Sequence, residues 1–150
     1  MRYILSKHIL NEKNEIEITE AEYLELKNSQ SILTHARAIE ETYDLIINNY
    51  LEFEIKLFEF SMDDIVHFNR DYFNFYKTRS ALNSKLISLL TSVTLYRDTL
   101  IQHVKICLPN QHDIKEKIDK LFETQRENID FLFMEKLRNH IQHFGMPVHN

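Results

Sequence analysis

Helix breakers are almost missing from this chain. Its 150 residues include one glycine, Gly145, and two prolines, Pro109 and Pro147. Tight turns, sandwich corners and glycine-rich phosphate loops draw on residues that this sequence scarcely has. Long helices are what such a composition favours. The single cysteine, Cys107, excludes an internal disulfide and a thiolate zinc cluster. It falls in an apolar helical stretch and reads as packing. No apolar run reaches the length of a membrane span, and the apolar part of Met1–His8 is too short for a secretion signal. The length is that of one domain with a real core, so a single domain over residues 1–150 is expected, cytoplasmic and without a membrane partner.

Taken in order, residues 3–18 alternate loosely, with Asn11-Glu12-Lys13-Asn14 as the turn, and predict a small β-hairpin over 1–18. Thr19 with Glu22 three residues on is a capping box that opens a short helix. The rest, 19–150, reads as a helical bundle. A second helix is expected from about Ser31 to Phe60, on Leu33, Ala36, Ile39, Tyr43, Ile46, Ile47, Tyr50, Phe53, Leu57 and Phe60. Ser61 with Asp63-Asp64 suggests a break and a new cap. A third helix is expected from Asp64 to Leu108, past an aromatic cluster of Tyr72, Phe73, Phe75 and Tyr76, and Pro109 ends it. The last should run unbroken from Asp113 to Gly145, burying Ile114, Ile118, Leu121, Phe122, Ile129, Leu132, Phe133, Leu137, Ile141 and Phe144. Helices of roughly thirty residues span on the order of 45 Å, so the fold class is all-α, an elongated up-and-down bundle whose apolar stripes form the core.

Charge is unevenly spread. Through residue 60 acidic side chains outnumber basic ones twelve to six; beyond it the signs nearly balance, and the net charge is −5. Such a chain is not a general polyanion binder. Any action on RNA must use a local site.

One string could supply that site: Arg138-Asn139-His140-Ile141-Gln142-His143. A histidine moves a proton near neutral pH, and an arginine holds a phosphate and its developing charge. With Leu137 at the centre of the buried face, Arg138, Asn139, Gln142 and His143, with Glu135, fan across the polar face. Arg138 and His143 lie about 140° apart around an ideal helix. They meet at one phosphate only if the helix end distorts or a second copy supplies the missing half. A two-fold dimer pairing these helices would bring two of each to one cleft. The plain alternative is a solvated helix end, where basic side chains favour the dipole. His140 and His143, with His149, are a weaker candidate for a metal site. Arg97, in Tyr96-Arg97-Asp98, reads as a salt-bridged or solvated position that could line the same groove as Arg138. His103 and His112 read as surface residues.

The spacing Arg138-Asn139-x3-His143 resembles the signature of the HEPN superfamily, and the longer string through Phe144-Gly145-Met146-Pro147-Val148-His149 is similar to an Arg-Asn-x-x-Gln-His-x-Gly-x-Pro-Val stretch of bacterial HEPN-like proteins. The likeness covers roughly residues 31–149 in architecture and 138–149 in sequence detail. It implies a dimeric helical bundle and a metal-independent endoribonuclease of the toxin–antitoxin or phage-defence kind, with RNA as substrate, an antitoxin as a further partner and no cofactor. Arg138 and His143 would be the catalytic pair and Asn139 the polar residue beside the arginine. In one toxin subgroup a tyrosine two residues after the histidine is modified by a partner; Gly145 stands there in this chain, so that regulation is not implied. Some members of the superfamily are non-catalytic dimerisation or interaction modules, which is the alternative reading.

Overall fold

The computed structural model describes residues 2–9, 12–67 and 72–146. The chain opens with two antiparallel strands, β1 (Tyr3–Ile9) and β2 (Glu12–Ile18), in a register that pairs Tyr3 with Ile18 and Ile9 with Glu12. The expected hairpin is there, but Glu12, Lys13 and Asn14 belong to β2 rather than to a turn, and Asn11 lies outside the described residues. Ile4, Leu5 and Ile16 stay exposed. The hairpin is tied to the next element by Tyr3, which stacks on Tyr23 at 4.7 Å and donates a hydrogen bond to Glu20.

Helix α1 (Glu20–His67) starts at the expected capping box. The Glu22 carboxylate accepts from the Thr19 backbone N–H at 2.7 Å, and the Thr19 hydroxyl accepts from the Glu22 N–H at 3.2 Å. The hydrogen bonds from Thr19 hold the Glu22 carboxyl below its ordinary value. Neither of the breaks expected inside this region exists. The helix passes through Ser31 and through Ser61–Asp64 for 48 residues, about 72 Å at the helical rise. Serine and threonine end a helix only when their hydroxyls cap it from an extended backbone. Here they bond back one turn instead, Thr34 to the Gln30 carbonyl and Ser61 to the Leu57 carbonyl.

Helix α2 (Tyr72–Cys107) begins after a gap at 68–71, which lies outside the described residues, and ends before Pro109. Phe75 and Tyr76 are exposed, so they form no core cluster; the side chains of Tyr72 and Phe73 lie outside the described part. The contacts His35–His103, Asn49–Ser88 and Glu52–Lys85 show that α1 and α2 run antiparallel. On α1, Ile39, Thr42, Ile46, Asn49, Phe53, Lys56 and Phe60 step by alternating threes and fours and are half-buried. That is the spacing of a coiled-coil seam.

The expected single last helix is two. Helix α3 (Ile114–Arg126) and helix α4 (Ile129–His143) are separated at Asn128. Asn128 is extended (φ −77, ψ 122), and its side-chain oxygen accepts from the N–H groups of Asp130 and Phe131 at 2.8 and 3.3 Å. An asparagine cap has done what no glycine or proline was present to do. At the far end α4 stops where expected, beside Gly145, whose φ of +144 no side chain adopts without strain.

Helix α2 is the middle layer. Lys85, Tyr96, His103 and Cys107 face α1, while Leu90, Arg97 and Ile101 line the side covered by α3 and α4. Among the described residues the buried apolar ones are few: Leu89, Leu90 and Ile118. Much of the expected core stripe is therefore not core. Leu33, Tyr43, Ile47, Tyr50 and Leu57 on α1, Leu121 on α3, and Ile129, Leu132, Phe133 and Phe144 around α4 are exposed. Their apolar positions outnumber what one chain can cover. No helix among the described residues is long and apolar enough to cross a membrane.

Candidate functional site

A cavity of about 630 Å³ opens between α2, α3 and α4, within the size range of small-ligand pockets. Arg97 of α2 is its centre. The guanidinium lies between two rings, 5.0 Å from Phe122 of α3 and 5.3 Å from Phe131 of α4. It also donates to Glu135 at 3.3 Å, and Arg126 donates to the same carboxylate oxygen at 3.2 Å. Burial pushes the Glu135 carboxyl up, but the bonds and charges of Arg126 and Arg97 outweigh it and hold the group below its ordinary value.

Arg138 and Asn139 line the same cavity. Arg138 is half-buried and donates to the Asn139 amide oxygen at 3.1 Å. The cavity is thus lined by three guanidiniums against the two carboxylates of Asp98 and Glu135. That local excess of positive charge stands in a chain whose net charge is −5. Arg97 is salt-bridged, as the sequence suggested, and it shares the groove of Arg138.

The expected orientation of α4 is corrected here. Arg138 and Glu135 are turned inward, not outward to solvent. The inner face is centred nearer Met134 and Arg138 than Leu137, because Glu135 is drawn to Arg97 and Arg126. Gln142 and His143 are exposed, and His143 does not line the cavity. Its ring meets Phe144 edge-on at 6.4 Å, while His140 stacks on the same Phe144 at 5.5 Å. Within one chain the structure brings Arg138 together with Asn139 and Arg97, but leaves His143 on the outer face of α4. That face also carries the exposed Leu132, Phe133 and Phe144.

Among the described residues no three His, Cys, Asp or Glu side chains converge to hold a metal ion. His149, the third residue of the histidine set, and the Pro147-Val148 tail of the motif lie outside the described residues. His112 is exposed, but His103 is not a surface residue. It is half-buried, its Nδ1 2.8 Å from Nδ1 of His35 on α1. Cys107, one turn further along, donates weakly to the Ile32 carbonyl at 3.6 Å, a packing role.

Sequence reasoning gave Phe122 only a place in the core and missed Arg126 and Phe131. They reach Arg97 only because the chain reverses at Asn128, and the one signal of that reversal was an asparagine inside an otherwise helical pattern. Set against protein-family models, curated proteins and solved structures, the chain matches none of them.

Proposed function

We propose that this protein is a HEPN-type, metal-independent endoribonuclease that acts as a homodimer, as a cytoplasmic toxin or phage-defence component held in check by an antitoxin. The observation that supports it most is the division of labour on α4. Arg138 faces a cavity with a positive excess, where a phosphodiester would find Arg97 and Arg126 beside it. His143 stands about 140° around the helix on an exposed apolar face. A second copy paired antiparallel along the flank of α4 between the two, past Asn139 and Gln142, carries each His143 toward the Arg138 of the other chain.

In this reading an RNA 2′-hydroxyl loses its proton to one His143 imidazole and attacks the adjacent phosphorus. The bond from phosphorus to the 5′-oxygen breaks, and that oxygen takes a proton from the second His143. The products are a 2′,3′-cyclic phosphate and a 5′-hydroxyl. Arg138 stabilises the charge of the phosphorane, and Asn139 holds the Arg138 guanidinium in place.

RNA incubated with the protein in chelator should be cut, and neither Arg138→Ala nor His143→Ala should cut it. Mixing the two variants and letting the chains exchange should not restore cleavage, because a mixed dimer keeps only one of the two His143 imidazoles that the reaction uses. Cleavage untouched by either substitution would reject the assigned roles. The second reading, a non-catalytic helical interaction module, is favoured by the Glu135 carboxylate that already occupies Arg97 and Arg126. It predicts self-association with no cleavage by the unaltered chain.

A further inference from the structure

The second half of α1 is apolar on two opposite sides. One side, with Ile46, Phe53 and Phe60, is half-buried toward α2. The other carries Ile47, Leu51, Ile55, Phe58, Met62 and Ile65, spaced by threes and fours and between 39% and 66% exposed. This outer stripe spans nineteen residues, about 27 Å along the helix. Lone chains rarely leave apolar patches of this extent uncovered.

The surface area points the same way. A compact chain of 18.1 kDa exposes about 8,100 Å². This one exposes 11942 Å². Obligate dimers hide about 1,000–2,500 Å² per chain, so the excess of about 3,800 Å² exceeds what one such interface removes.

We infer that the outer face of α1 from Ile47 to Ile65 is a self-association surface, and that its occupant is the same face of a second copy of this chain, laid antiparallel about a two-fold axis at the level of Lys56. The spacing of the stripe is what selects a second copy. Reversed upon itself, it sets Ile47 against Ile65, Leu51 against Met62 and Ile55 against Phe58, an apolar partner at every step, as an isologous contact requires. Two of the acidic residues along its flank are neutralised within the chain. Glu52 is bridged to Lys85 at 2.6 Å and Glu59 to Lys56 at 2.8 Å within the chain. The two helix pairs then form a four-helix layer, with each α1 buried on both sides.

This surface lies on the side of α2 away from the Arg138 cavity, so it is independent of the nuclease reading. Light scattering on the full chain should give a multiple of 18.1 kDa. The double substitution Ile55→Glu and Phe58→Glu should halve that mass, with helicity by circular dichroism unchanged. In a Cys107→Ala background, a chain carrying Ile47→Cys should cross-link to one carrying Ile65→Cys. Ile47→Cys alone should not, since the two copies of residue 47 sit about 28 Å apart in this packing. A monomeric unaltered chain overturns the inference. So does a mass unchanged by the two glutamates, a cross-link of Ile47→Cys to itself, or no cross-link between the mixed chains.

Discussion

Glu135 gives the sharpest test of how α3 and α4 are held to α2. Glu135→Gln keeps the shape of the side chain and removes its charge. Arg97 and Glu135 are 21% and 24% exposed, so their charge-assisted bond is only partly screened, and losing the charge costs about 1–2 kcal/mol. Arg126 is 53% exposed, and its share is a few tenths of a kcal/mol at most. For a chain of this length that lowers Tm by about 2–8 °C at neutral pH. The pH dependence is the stronger signature. The folded carboxyl lies below the ordinary value of 4.5, because the two guanidiniums outweigh burial. A depressed folded pKa gives stabilisation that is complete above the unfolded value and disappears as pH falls through the folded one. Melting curves of the parent and the variant, followed by circular dichroism at a series of pH values, should therefore differ by a constant amount down to about 4.5 and converge below it. Other carboxylates titrate in both proteins and cancel in the difference. A gap that does not close in acid, or no gap at neutral pH, would refute the placement of this carboxylate between Arg97 and Arg126.

Asn128→Ala should cost about 1 kcal/mol in urea denaturation, since it removes the acceptor for the Asp130 and Phe131 N–H groups. It should also weaken the reversal between α3 and α4, which Asn128→Asp would largely preserve. Gly145→Ala should destabilise the end of α4 by about 1 kcal/mol, because φ of +144 strains any residue with a Cβ. Faster amide exchange at Phe144 and Gly145, both bonded to the His140 carbonyl, is the measurement that reports it.

The scarcity of glycine and proline, the Thr19–Glu22 box, Pro109 and Gly145 were enough to foresee an all-helical bundle, its first cap and its last stop. These are local effects: each depends on backbone geometry within a few residues. The same local vocabulary failed at Ser31, which α1 simply passes through, at Ser61, whose hydroxyl bonds back into the helix, and at Asn128, where a residue ordinary inside a helix became a cap. Between those outcomes the choice is made by what each segment packs against. The candidate site divides in the same way. Arg138, Asn139 and His143 could be picked out by type and spacing, and Arg97 as a neighbour. Which side of α4 faces inward could not, because with Leu132, Phe133, Leu137 and Ile141 the helix offers more than one apolar face. Glu135 settles it by reaching Arg97 on α2 and Arg126 on α3, residues 38 and 9 positions away along the chain. Only the assembled helices set three guanidiniums around one cavity and leave His143 and the apolar stripe of α1 turned outward.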